Sequence, residues 1–185
     1  AMRSLLIEDE NRLILIDNGI GDKQDRNFLK HYYLHGDVNL KLSLAKCGFS
    51  TDDITDVFLT HLHFDHCGGS VEWNNDRTSF NLTFKNARYW SNKDHWKWAC
   101  NPNRREKASF LKENIIPIEK SGHLNFISKE NEPFENFSTL FVSGHTESQM
   151  IPHIRYKDKI IVFAADLLPS VGHIPLPYVM GYDTR

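Results

Sequence analysis

Cysteine is scarce in this 185-residue chain. Cys47, Cys67 and Cys100 are the only three. So odd and sparse a set argues against a disulfide-stapled scaffold and suits a reducing compartment such as the cytoplasm. An excess of one charge is missing too: 22 Lys and Arg face 24 Asp and Glu, for a net charge of −2. That balance gives no general electrostatic reason to bind nucleic acid or an anionic membrane. No apolar run approaches the roughly 20 residues that span a bilayer. No basic stretch followed by an apolar one opens the chain in the manner of a signal peptide. Internal repeats, low-complexity tracts and interdomain linkers are not visible. What is present, 40% apolar and 25% charged residues, describes an ordinary globular domain with room for a sizeable core. Histidine is the exception. There are ten, and His61, His63 and His66 fall within six residues.

Periodicity places the motifs. Arg3–Glu8 and Arg12–Asp17 read as a hairpin whose second strand is apolar enough to be buried. Residues 25 to 47 are rich in helix formers and end at Gly48, which suits the position after a helix. Ile54–Thr60 contains the run Val57-Phe58-Leu59, read as a buried strand. Residues 70 to 83 read as a loop or lid, and Ala87–Trp90 as a strand. Ser91 and Asp94 resemble a capping pair that opens a helix to Ala99. A second helix is expected over Arg104–Lys112. A strand meander follows: Ile115–Ile118, Leu124–Ile127 and Thr139–Val142. Ile151–Tyr156 and Lys159–Ala164 form a last hairpin, and the tail from Pro169 has no regular period. Strands interrupted by helices predict an α/β or α+β fold, mixed sheets covered by helices.

The loop after the strand ending at Thr60 reads His61-Leu-His63-Phe-Asp65-His66-Cys-Gly-Gly69. Four potential metal ligands in six residues, on a loop leaving a rigid strand, can converge on one point. Imidazole and carboxylate both bind zinc, at about 2.0–2.2 Å. In an extended stretch His61 and His63 point to the same side and can chelate one ion. Asp65 and His66 can turn to a second ion close by. Further donors must come from elsewhere, and His145 and Asp166 each lie just past the end of an expected strand. The bland alternative is a polar loop with incidental histidines. His31, His35, His95, His123 and His153 have no evident partners and default to surface or packing roles.

The stretch His61–Gly69 resembles the HxHxDHxGG signature of the metallo-β-lactamase superfamily. Leu15-Ile-Asp17-Asn-Gly19 is similar to an early strand and turn of that fold, Gly144-His145-Thr146 to its third ligand motif, and Ala165-Asp166-Leu167 to its bridging aspartate. The resemblance runs from Leu5 to about Asp183. It implies an αββα sandwich, incomplete at both ends, so that residues 1–185 form a single domain read as a fragment of a longer chain. It also implies two divalent cations, zinc above iron, manganese, cobalt or nickel. His61, His63 and His145 would hold the first, Asp65 and His66 the second, and Asp166 would bridge them. Asp17 would steady the ligand loops, and Cys67 would be a small buried side chain. The family's last ligand, a histidine well downstream of the bridging aspartate, has no counterpart, since His173 comes too early.

The implied chemistry is hydrolysis by a hydroxide held between two cations, with Asp65 passing a proton to the leaving group. Asp166 stands where the zinc β-lactamases carry cysteine, which disfavours penicillin hydrolysis. His63 stands where flavodiiron reductases carry glutamate, which disfavours redox use. All four tryptophans lie between residues 73 and 98. Phe84–Trp90, Trp98-Ala99, Asn101-Pro102-Asn103, Asp166–His173 and Pro177–Asp183 resemble the quorum-quenching branch that opens N-acyl homoserine lactones. That branch implies a small lactone or ester as substrate; a homodimer is a separate expectation. Trp73 and Trp96 would then make an apolar wall for an acyl chain, or simply pack helices onto the sheet. His173 would line the pocket or be structural. Two alternatives stand beside this. One is a metallonuclease or phosphodiesterase, given six basic residues and two tryptophans between positions 93 and 113. The other is a metal-binding module without turnover.

Overall fold

Strand β2 (Arg12–Ile16) is buried on both faces, which explains its apolar run. Leu13 and Leu15 join one cluster of core residues; Ile14 and Ile16 join another. The alternation follows from the two-residue period of a strand. In this computed structural model, which describes residues 2–175, 177, 178, 180 and 183, β1 (Leu5–Asp9) pairs antiparallel with β2. The turn between them has Glu10 at φ 49°. Beyond β2 the sheet is parallel. β3 (Asp56–Phe58), β6 (Arg88–Ser91) and β7 (Leu124–Phe126) follow in the order β1-β2-β3-β6-β7. Between β3 and β6 lies a small hairpin of β4 (Val71–Trp73) and β5 (Phe80–Leu82).

One face of the five-stranded sheet takes helices. Leu44 of α2 (Leu40–Lys46), Trp96 and Ala99 of α4 (Lys93–Cys100), and Ile115 and Ile118 of α5 (Lys112–Lys120) pack there with Leu13, Leu15, Val57 and Tyr89. The other face takes a second, antiparallel sheet of β8 (Phe137–Val142), β9 (Gln149–Tyr156) and β10 (Lys159–Val162), in the order β10-β9-β8. Phe137, Met150 and Ile154 pack onto Ile14, Ile16, Phe58 and Trp90. The layers are therefore helix, sheet, sheet. Each buried cluster holds enough large side chains, at about 1.5–3 kcal/mol apiece, to stabilise its interface.

Five expectations are corrected. Ile115–Ile118 is not a strand but part of α5, with Pro117 inside it. Ile115 and Ile118, three apart, are buried while Ile116 is exposed, so the period is helical although β-branched residues and proline suggest otherwise. Arg104–Lys112 is not a helix. Asn103 Oδ1 accepts the Arg105 and Glu106 N–H groups and sets a turn instead, with 3-10 geometry over Lys107–Ser109. Residues 25–47 split into the short α1 (Arg26–Leu29), a 3-10 turn and α2. Residues 70–83 contain the β4–β5 hairpin. The cap of α4 is Asn92, whose Oδ1 accepts the His95 N–H at 2.8 Å, one residue after the expected Ser91.

The loop after β2 is laced to the loop after β3. Asn18 N–H donates to His66 O and Gly69 N–H to Gly19 O, both at 2.9 Å. Asn18 Nδ2 donates to Ser70 Oγ at 2.7 Å. A Cβ on Gly68 would lie 2.2 Å from Ile20 O, and one on Gly69 2.2 Å from Asn18 O. These are backbone atoms that cannot swing away, so only glycine fits. Gly69→Ala is expected to cost at least about 1–3 kcal/mol in urea unfolding. Gly144→Ala, with nothing within 4 Å of its Cβ, is expected to stay within about 0.5 kcal/mol. Equal losses at the two positions would count against the close-approach explanation.

Candidate metal centre

The site is built from segments that follow strand ends: Asp17 after β2, His61 after β3, His145 after β8 and Asp166 after β10. Chain ends of parallel strands are where an open sheet leaves room for a site. Between β3 and His61, Thr60 O accepts the Met150 N–H at 2.8 Å, which ties this loop to the second sheet. His63 precedes the one-turn helix α3 (Phe64–Cys67), which turns Asp65 and His66 back toward the cluster.

Hydrogen bonds choose the ring tautomers. Asp17 Oδ1 accepts the Thr60 N–H and Oδ2 accepts the Thr60 hydroxyl, both at 2.8 Å. That hydroxyl has one proton and has given it to Asp17. At 3.0 Å from His61 Nδ1 it can only accept, so His61 carries its proton on Nδ1 and leaves a lone pair on Nε2. His66 Nδ1 donates to Asp17 Oδ2 at 2.7 Å, and His145 Nδ1 to Asp183 Oδ1 at 2.8 Å. Asp17 adopts φ 53° and Ala165, beside Asp166, φ 45°. Left-handed backbone at non-glycine residues costs energy and tends to collect where side chains must be aimed.

The rings meet. His61 lies 4.6, 4.0 and 5.1 Å, centre to centre, from His63, His66 and His145. His145 Nε2 is 3.0 Å from His63 Nδ1 and 3.4 Å from Asp166 Oδ2, while Asp166 Oδ1 is 3.3 Å from His66 Nε2. The two oxygens of Asp166 thus face different histidines. His61, His63 and His145 offer donor atoms all within 4.8 Å of one another, and so do His61, His66 and Asp166. The Nε2 atoms of His61 and His63 are buried with no hydrogen-bond partner among the described residues. Buried polar atoms are normally satisfied, and the lone pair on His61 Nε2, left over by the proton on its Nδ1, fits a cation.

Charge follows the same geometry. Burial, and then the neighbouring imidazoles, hold His61 far below the usual histidine range and His63 at about 2. Both are neutral, as ligands must be. For His66 burial disfavours the charge, but the Asp17 charge and the hydrogen bonds that His66 donates to Asp166 and Asp17 prevail and raise it to about 11. Burial raises Asp65. It also works to raise Asp166, but the His66 hydrogen bond and charge pull that carboxyl down overall. Cys67 lies beneath the loop, its thiol donating to Leu62 O at 3.3 Å and pushed up to about 12 by burial.

Other expectations fall elsewhere. Trp96 is core, packed against Phe126, not a pocket wall. Its place on the buried face of α4 decides this. Trp73 stacks on Phe80 and donates to Lys23 O at 2.9 Å. His173 is bonded to Ser170 within its own turn. The Pro177–Asp183 likeness falls partly on residues outside those described. The packing default for His95 missed a structural bolt. Its Nε2 accepts the Leu62 N–H at 2.8 Å and its Nδ1 donates to Glu147 O at 2.6 Å. It thereby joins the His61–His66 loop to the His145 loop. Burial keeps His95 near 4, hence neutral. In the sequence it has no evident partner, and nothing nearby marks it for this role.

Comparisons with known proteins agree with this geometry. The pattern described as the Metallo-beta-lactamase superfamily matches residues 3–183. An N-acyl homoserine lactonase of Bacillus thuringiensis subsp. kurstaki is 25% identical over 153 residues, covering 76% of this chain and 53% of the relative. A probable metal-dependent hydrolase from Staphylococcus aureus is 26% identical with a TM-score of 0.87, covering 98% of this chain and 64% of that one. AidC, a dizinc quorum-quenching lactonase solved in complex with a product, is 27% identical with a TM-score of 0.67, covering 89% and 56%. The chain spans about half the length of the curated lactonases it matches.

The shifted histidines make the metal-stripped protein pH-sensitive. His61, His63 and His95 refuse protons that the unfolded chain accepts below about pH 6.5, so their effect is a loss of stability as pH falls through that value. His66 acts oppositely: its contribution is complete below about pH 6.5 and fades as pH rises toward 11. Urea unfolding of chelator-treated protein is expected to show greatest stability near pH 6.5–7, falling on the acid side by on the order of 1 kcal/mol per pH unit. A flat profile from pH 5 to 8.5 would contradict these assignments.

Proposed function

The chain belongs to the metallo-beta-lactamase superfamily, and on that premise we propose that it serves a metal-dependent hydrolase that opens a lactone or cleaves a related ester, of the N-acyl homoserine lactonase type. The observation that carries the reading is the pair of donor clusters sharing His61, with Asp166 between the histidines of both. His61, His63 and His145 would hold one divalent cation. His66 and Asp65 would hold a second, and Asp166 would contact both. Zinc suits this imidazole and carboxylate set, as do other first-row ions. Bound there, such ions supply Lewis acidity and activate water near neutral pH.

The chain's own residues supply the rest. Asp17 and Asp183 accept from Nδ1 of His66 and His145 and so turn each Nε2 toward the cluster. Asp65 lies beside the cluster, its Oδ2 3.8 Å from His66 Nε2, where it would pass a proton to a leaving alkoxide.

An aromatic trio supports an acyl substrate. Phe64, between His63 and Asp65, lies 5.3 Å from Phe28 and 4.9 Å from Tyr32, and those two rings are 5.2 Å apart. This wall adjoins the ligand loop, where an apolar chain could lie while its polar head meets the cluster. Two relatives already described, the Bacillus lactonase and AidC, bear lactonase names. The three cysteines are all unpaired, in keeping with a reducing compartment.

The test is direct. The purified protein is assayed for N-acyl homoserine lactone opening alongside metal analysis. Two ions per chain are expected, with activity abolished by chelation and restored by zinc. His61→Ala and Asp166→Asn should each lose at least about 100-fold in turnover. Lactone opening that persists in His61→Ala would sink the mechanism. Asp17→Asn should weaken metal binding about 10–100-fold while leaving every proposed ligand in place; unchanged affinity would remove Asp17 from its role.

A further inference from the structure

Three of the four clustered imidazoles are backed on the nitrogen that faces away from the cluster. Asp17 backs His66, Asp183 backs His145, and the Thr60 hydroxyl backs His61. His63 is turned the other way round. Its Nδ1 meets His145 Nε2 at 3.0 Å, and its buried Nε2 has no hydrogen-bond partner among the described residues. Glu106 Oε2 lies 4.0 Å from that Nε2.

Glu106 is 5% exposed and belongs to neither donor cluster. Its position is fixed from several sides. Trp98 Nε1 donates to Oε2 at 2.9 Å, and Thr146 Oγ1 to the same oxygen at 2.8 Å. Asn103 Nδ2 donates to Oε1 at 3.3 Å. All three donors are neutral, and a buried carboxylate without a cation close by is costly. The positive charge that would balance it is on the far side of the His63 ring. Thr146 adjoins His145, so the same carboxylate reaches both histidine loops.

We propose, resting on the metal-centre reading above, that Glu106 is a positioning residue that holds His63 as its Nε2–H tautomer and so presents Nδ1 to the cation shared with His61 and His145. It does for His63 what Asp17 and Asp183 do for His66 and His145. It is not a ligand and touches no substrate.

The test compares wild-type protein with Glu106→Gln, using Zn2+ and Co2+ as probes. Competition with a chromophoric chelator is expected to show about 10–100-fold weaker binding of one ion in Glu106→Gln. The Co2+ absorption spectrum should change while circular dichroism does not. Long-range 1H–15N NMR of the zinc-loaded wild-type protein should show His63 protonated on Nε2. A folded Glu106→Gln with wild-type affinity and an unaltered Co2+ spectrum overturns the role of Glu106 alone. So does a wild-type His63 protonated on Nδ1, a result that needs no variant to fold. A wild-type chain that takes up neither ion overturns the metal-centre reading, and this role with it.

Discussion

The Asp17 carboxylate is the interaction on which the site depends. One side chain at the end of β2 accepts from the Thr60 amide, the Thr60 hydroxyl and the His66 ring. Through Thr60 it also sets the His61 tautomer. It therefore joins two adjacent strand ends and orients two imidazoles at once. The left-handed backbone at Asp17 is the local cost of aiming the carboxylate there, offset by two buried hydrogen bonds and one partly buried. The close approach of the Asn18–Gly21 loop to Gly68 and Gly69 holds the same two loops in register.

A cluster of four imidazoles is an unfavourable thing to bury. The structure manages it by keeping His61 and His63 neutral and by placing the one favoured imidazolium, His66, between Asp17 and Asp166. A divalent cation would take over the role of that proton. The cluster is thus arranged for positive charge, and the acids around it determine where the charge sits. His95 contributes differently: a neutral ring accepts from one loop and donates to another, fastening the His61 and His145 segments without entering the cluster.

Much of this was legible in the chain. The apolar runs of β2 and β3, the hairpin of β9 and β10, and the histidine-rich loop between strand and helix follow from periodicity and spacing. The misreadings have physical causes. Ile115–Ile118 carries the residues of a strand, but packing on the sheet selects a helical period that buries Ile115 and Ile118 and leaves Ile116 outside. The expected helix over 104–112 gives way because Asn103 offers its side chain to the backbone in place of a helical carbonyl. Trp96 belongs to the core because α4 turns that face inward. The apolar wall beside the ligand loop comes instead from Phe28, Tyr32 and Phe64.

By itself the sequence determined which side chains could bind metal. Ligand chemistry is a property of residue type, and the spacing from His61 to His66 is short enough for local geometry to bring them together. It also determined the buried strands, since an apolar run that must hide both faces has few alternatives. Tertiary structure alone decided which ring nitrogen each histidine presents, because that depends on acids and hydroxyls distant in the chain. Asp17 lies 49 residues from His66, and Asp183 lies 38 from His145. Glu106, buried among Trp98, Asn103 and Thr146, acquires its place beside His63 in the same way. Nothing in local spacing signals it, since only the folded sheet brings those loops to one end.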